Sequence, residues 1–391
     1  MVGHRQAGNL RCVKTLSIWL ALVILGIAAA LYFGRSRVET GTANRPWPLG
    51  LGLVTEAPKR FPPAKENAAA TQLVELAAKA ETDLRHSTTR LGGGVRQELR
   101  DAFADYVHVQ LERSGDAIDA PPSEVARYLT ANAATLDEIR TLALSGTPIV
   151  FEIDVNRSGI GEREWGREDG PEPIPIGPNV FALQHIHRAF VVRALTLARD
   201  GNRAAWDELR TAWELTRPEW ARPDTSAILA ASTGARMVNT AARKMPLPPP
   251  AWLSELDTFP YEQRLLMAQQ AEAWRGKNPA LTERLRGMAA AVLQAKACDT
   301  TSPQFDAVRQ KLGARATPNL ISNWERLMRF HAEREARRNV LRIRAGQPPV
   351  RDSQCSDGSW EVTPASFKFT RDVPVQQPYI KHPLAYAKAA L

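Results

Sequence analysis

The sequence predicts a mainly α protein with a single N-terminal transmembrane helix, an all-α domain of packed helical hairpins, and a small β-hairpin in the C-terminal tail. Three observations carry this reading. Residues 15–34 form a twenty-position run without a charge, closed by Lys14 and Arg35. Beyond residue 64, apolar side chains recur at spacings of three and four, the period of one helix face. Finally, Asn278-Pro279, Ser302-Pro303 and Thr317-Pro318 each place a capping side chain before a proline at the first helical position, where the missing amide is not needed.

The run 15–34 has the length of a bilayer span: at a rise of about 1.5 Å per residue it covers roughly 30 Å of hydrocarbon. Trp19 and Tyr32 stand near its ends, where amphipathic rings favour the interface. Arg5, Arg11 and Lys14 precede it and Arg35, Arg37 and Arg45 follow it, so flanking charge does not orient it. A short basic start before an apolar run resembles an export signal, which places residues 1–14 in the cytoplasm and the large C-terminal part outside, periplasmic or extracellular. Ala28-Ala29-Ala30 offers a small-residue cleavage pattern. The apolar run nevertheless continues through Leu31, Tyr32 and Phe33, which favours an anchor retained in the mature protein.

The chain carries 51 Lys plus Arg against 42 Asp plus Glu, a formal charge of +9. Without the three basic residues of the tail the excess is 48 minus 42, or +6. Spread over the exported part, that excess implies no dedicated nucleic-acid face.

Residues 35–63, with Pro46, Pro48, Pro58, Pro62 and Pro63, read as an extended tether. A helical subdomain spans 64–146. Its first helix begins at Ala64 with Leu73, Leu76, Ala77, Ala80 and Leu84 on one face. The second runs from Val95 to Arg113 and is closed by Gly115, and shorter helices start at Ser123 and Thr135. Thr135-Leu-Asp-Glu138 fits a capping box, in which hydroxyl and carboxylate each take an orphan amide.

Residues 147–178 differ in kind. Phe151-Glu-Ile153-Asp-Val155 alternates like a short strand, and Gly, Glu, Arg and Pro dominate up to Pro178. An insertion of this size without secondary structure is often functional.

Helices resume over 179–345. The first hairpin joins Val180–Arg199 to Arg203–Arg217 through Asp200-Gly201-Asn202, with Trp206, Leu209, Ala212 and Trp213 inward and Pro218 as the stop. A helix after Asp224 carries small residues around Gly234 that suit close packing. Pro246-Leu-Pro-Pro-Pro250 is a spacer, and further helices are expected at 260–274, 279–297, 303–312 and 318–345. In the last, Trp324, Leu327, Met328, Ala332, Ala336, Val340 and Ile343 form a complete inward stripe, which leaves the many arginines for water. The tail 346–391 holds Trp360-Glu-Val362 and Phe367-Lys-Phe369, which alternate as a hairpin would.

Candidate chemistry is sparse. Asp154, Asn156, Ser158 and Glu162 place oxygens at alternate positions with Gly159 and Gly161 between, the way a loop wraps a calcium ion. Trp165 stands where such a loop needs a bidentate glutamate. His185 and His187, two apart on a helix, point to different faces and read as packing residues. Cys298 and Cys355 are the two cysteines beyond the span, and in an exported domain they are expected to pair. That bridge closes a loop of about 57 residues and removes roughly 4 kcal/mol of unfolded-state entropy. No phosphate loop, nucleophile elbow, zinc-protease helix or dinucleotide fingerprint occurs. The expected function is a membrane-anchored, non-catalytic interaction or scaffold module of the cell envelope that binds another protein. The alternative is an envelope hydrolase with its site in 151–178.

Overall fold

The computed structural model describes residues 62–84, 97–113, 115–153, 178–275 and 318–349, a few positions between 285 and 306, and short segments at 360–363, 366–369 and 388–390. The described part is mainly helical. The apolar run 15–34, nearly all of the tether, the loop 154–177 and both cysteines beyond the span lie outside the described residues. No helix among the described residues is long and apolar enough to cross a membrane.

Helix α1 (Ala68–Lys79) starts four residues later than the periodicity suggests. Ala64 is held in extended pairing with Ile153 by two N–H to O bonds of 2.9 Å, and Asn67 then caps the helix by accepting from the Ala70 amide at 2.9 Å. The same Asn67 donates to the Pro148 carbonyl at 2.7 Å, so one residue fastens both α1 and the extended stretch before the 154–177 segment. The helix ends in a Schellman turn. The Thr82 amide reaches the Ala77 carbonyl at 2.8 Å and the Glu81 amide reaches Ala78 at 3.0 Å, with Glu81 at φ 57°.

Helices α2 (Gln97–Glu112), α3 (Ser123–Ala131) and α4 (Ala133–Leu144) complete the N-terminal layer. The capping box expected at Thr135 is not used. Helix α4 starts two residues earlier, after Asn132, whose amide group turns back to the Tyr128 carbonyl at 3.0 Å and closes α3.

Helices α5 (Val180–Arg199) and α6 (Ala205–Glu214) form the expected hairpin, with Gly201 at φ 69° in the turn. Trp206, Leu209, Ala212 and Trp213 are buried as expected. Pro218 is not the stop. The second helix ends at Glu214, and Pro218 lies in the first turn of a further short helix, α7 (Arg217–Trp220), where it needs no amide partner.

Helix α8 (Thr225–Ala241), capped by Asp224 at 2.8 Å from the Ala227 amide, packs against α2, α5, α6 and α7, and also against α10 (Tyr261–Arg275) and α11 (Pro318–Arg344). Small residues, Ala227, Ala230, Ala231, Ser232, Gly234 and Ala235, make up much of its buried surface beside Ile228, Arg236, Met237 and Val238. A Cβ on Gly234 would lie 2.9 Å from His187 Nδ1 and 2.9 Å from Thr216 Cγ2, both fully buried. The prolines after α8 fold back on α6: Trp206 Nε1 donates to the Pro246 carbonyl at 2.7 Å. A short turn, α9 (Glu255–Thr258), precedes α10. Between α10 and α11, residues 288–292 are helical, and Leu285, Met288, Ala289 and Val292 join the core. In the tail, the backbones of Trp360–Thr363 and Ser366–Phe369 pair antiparallel with Trp360 opposite Phe369, and Lys388–Ala390 adds a third strand.

Two substitutions test this packing. Gly234→Ala should lower the unfolding free energy by about 1–2 kcal/mol, because the overpacking penalty exceeds the helix propensity gained. Glu81→Gly should raise it by about 0.5–1 kcal/mol by relieving the left-handed conformation at the end of α1. Urea midpoints of the two variants against the parent check both signs.

Candidate functional site: a buried charged seam

Helix α11 corrects the expectation that its arginines lie in water. Its apolar stripe is present, with Trp324, Leu327, Met328, Ala336 and Val340 buried, but Arg329, Glu333, Arg334, Glu335, Arg337 and Asn339 on the other sides are buried too. From Asn323 to Arg344, Arg338 alone among the described side chains is exposed. Such a helix needs partners for its charges, and its neighbours supply them.

Arg236 of α8 grips Glu333 through both ends of its fork, Nε to Oε2 at 2.9 Å and Nη2 to Oε1 at 2.7 Å, with side chains 5% and 2% exposed. Asn239 adds a bond to the Glu333 carbonyl at 3.1 Å. Arg337 donates to the Leu253 carbonyl at 3.2 Å and pairs with Asp257, which also takes Arg338 at 2.8 Å. Arg334 donates to the last carbonyls of α9, Leu256 and Asp257, both at 3.1 Å, while its guanidinium lies 4.9 Å over the Tyr261 ring. That capping uses the negative end of the helix dipole.

His331 and Glu262 give the seam its one acid–base dyad. The Arg334 guanidinium donates to His331 Nδ1, so the ring proton sits on Nε2 and is given to the Glu262 carboxylate. Burial is the strongest single influence and works to raise the Glu262 carboxyl, but the hydrogen bond and electrostatic pull of His331, a backbone hydrogen bond and the Arg334 charge together outweigh it and hold the group below its ordinary value. A general base needs a nitrogen free to accept a substrate proton, and both nitrogens of His331 are engaged. Tyr261 is 1% exposed, and burial raises its hydroxyl.

Two other buried groups follow the same pattern. Glu208 of α6 is fully buried and takes Arg140 of α4 and, at 3.0 Å, Arg193 of α5, which ties three helices together. Burial raises its carboxyl despite both arginines. Lys244 is pushed down to about 8 by burial, helped by Arg243, a value suited to proton transfer. Its Nζ, however, is spent on the Gly115 carbonyl at 2.7 Å and the Ala117 carbonyl at 3.2 Å, just beyond the end of α2.

The sequence-selected residues fall as follows. Asp154, Asn156, Ser158, Glu162, Cys298 and Cys355 lie outside the described residues. His185 and His187 are both fully buried on α5 and do not converge. The His185 ring packs edge-on against Phe103 at 4.9 Å and Tyr128 at 5.4 Å, while His187 faces Gly234. Burial pushes them down to about 3 and about 4, so both are neutral. Among the described residues no three His, Cys, Asp or Glu side chains converge as metal ligands.

The described residues also form a shallow, open concavity. Between α2 and the start of α3 a groove of about 560 Å³ is lined by Glu98, Asp101, Asp105, Asp119 and Glu124, with Tyr106, Gln110 and Val109 among them. Val109, at 48%, is exposed where most large apolar residues are buried. The Arg113 and Gln110 side chains hold Asp119 below the ordinary carboxylate range.

The charged seam was missed in the sequence because each partner lies far along the chain, Glu333 being 97 residues from Arg236. The one local signal is the presence of Glu333 and Glu335 inside an arginine run, which a purely solvated basic face does not require. Comparison with protein-family models, with curated proteins and with solved structures returned no match.

Removing one partner of the Arg236–Glu333 pair leaves a buried charge unmatched. Arg236→Ala should destabilise the protein by about 3–5 kcal/mol, and the double replacement Arg236→Met, Glu333→Leu should recover most of that loss. A double-mutant cycle by chemical denaturation measures it.

Proposed function

We propose that this chain is a membrane-anchored, non-catalytic helical module of the cell envelope, which its N-terminal apolar run holds to the membrane and whose exported helices bind another protein. The observation that supports this reading is the closure of the described polar clusters. The seam arginines and Lys244 are committed to carbonyls and carboxylates of the chain itself, and the two nitrogens of His331 to Glu262 and Arg334, which leaves them to hold helices together. A catalytic site needs at least one such group facing a cleft with a free acceptor or donor.

The α2–α3 groove is the face best suited to a partner. Its five carboxylates stand out in a chain of net positive charge, and they favour a lysine- or arginine-bearing segment with an apolar residue to cover Val109. Asp101→Lys with Asp105→Lys should abolish recovery of the partner from detergent-solubilised membranes, whereas Glu138→Lys, on an exposed position of α4, should not. Equal recovery from all three proteins would overturn the groove as the binding face. Alanine at Asp154, Asn156 and Glu162 addresses the hydrolase alternative. A phenotype equal to deletion, with the partner still bound, would favour the enzyme.

A further inference from the structure

Glu219 is the third residue of α7 and is fully buried, and neither of its carboxyl oxygens has a hydrogen-bond donor among the described residues. The polar groups around it are already committed. The Thr216 hydroxyl donates to the Trp213 carbonyl at 2.7 Å and accepts from Trp220 Nε1 at 3.2 Å. The cation that acts on it is Arg222, whose Nη1 donates to the Pro178 carbonyl at 2.9 Å and whose Nε lies 3.0 Å from Asp224 Oδ2 as an ion pair. Asp224 adds a like charge. From α8, the element packed on α7, no charged side chain precedes Arg236, which is bound to Glu333. From α5, His187 stands against Thr216 and Gly234 in its neutral form.

An ionised carboxylate buried without a donor costs several kcal/mol, so the group keeps its proton. We infer that Glu219 is a proton-held latch at the entry to α5. With its proton, it leaves Arg222 on the Pro178 carbonyl. When the proton passes to solvent, the carboxylate draws the guanidinium to itself, and Pro178, next to the Asn179 that starts α5, loses its tie.

The linkage has a definite sign. Burial holds the Glu219 carboxyl well above 4.5, against the pull of Arg222 and with the push of Asp224. The folded state therefore keeps a proton that the opened or unfolded chain releases. Its contribution to stability is complete below the ordinary carboxyl value and is lost as pH rises toward the raised one.

Hydrogen exchange read by mass spectrometry on the full-length chain in detergent tests the latch. In the parent, protection of a peptide spanning 178–186, corrected for intrinsic exchange, should fall with rising pH by up to about tenfold per pH unit wherever opening releases one proton. Glu219→Gln cannot ionise and should keep the peptide protected across the same range. Identical pH profiles for the two proteins overturn the inference. If Glu219→Gln does not fold, infrared spectroscopy of the parent with carbon-13-labelled glutamate decides. A protonated glutamate carbonyl stretch at neutral pH that disappears together with the peptide's protection supports the latch, and its absence at neutral pH overturns it.

Discussion

The two-pronged grip of Arg236 on Glu333 is the contact on which the arrangement of the C-terminal helices depends. Both side chains are almost without solvent, so each would be intolerable alone, and the fork of the guanidinium fits the carboxylate in one orientation. That fixes the rotation and height of α11 against α8. Once they are fixed, Arg334 and Arg337 fall opposite the carbonyls of α9 and Leu253, and Trp324 reaches the Gln269 side chain at 3.1 Å. An apolar seam of equal area would tolerate sliding by a turn, whereas this one would strand a charge at each alternative position.

Helix α8 can serve as the hub because small residues around Gly234 let neighbours approach on one side while Arg236 reaches out on another. Gly234 lets the His187 ring and the Thr216 methyl come within a distance that even an alanine would violate. The helix that carries the buried arginine is therefore also one that His187 and Thr216 approach closely. Close approach excludes water from the ion pair and strengthens its electrostatics, and the same exclusion makes a mismatch costly.

These features were unequally legible in the sequence. Helix ends marked by glycine, at Gly201 and Gly346, and the Asp224 cap could be read directly, because the physics of a turn or cap is local. Glu81 breaks the same rule: it adopts the left-handed conformation without being glycine, held there by the Schellman bonds and by what α1 buries around it. Pro218 and Thr135 carried valid local signals that the chain does not use, since a proline suits a first helical turn as well as it ends a preceding one. The arginines of α11 failed for a different reason. A stripe analysis assigns each position to one inside and one outside, and it has no means to represent a helix buried on most sides by partners far along the chain, such as Glu262, 69 residues away, and Arg236, 97 residues away. The loop oxygens and the cysteines that the sequence singled out fall outside the described residues, so the polar chemistry that can be described comes from positions assigned to water, such as the α11 arginines, or not singled out at all, such as Arg236, Glu208 and Lys244.

Glu208 and Glu219 show what decides the fate of a buried acid. They sit in neighbouring helices, both without solvent, and burial raises both. Glu208 is met by two guanidinia from α4 and α5, and its charge becomes a tie between three helices. Glu219 has one arginine in range, and that arginine already serves Asp224 and Pro178. The difference lies in the number of uncommitted donors that the surrounding backbone path can bring within reach, since composition and burial are the same for both. A donor set that is one guanidinium short favours a neutral carboxyl, because drawing on Arg222 again would weaken its bond to Pro178 and its ion pair with Asp224 without fully compensating the new charge. Proton occupancy at Glu219 is thus set by the commitments of Arg222, and through Arg222 it is coupled to the position of the chain at Pro178.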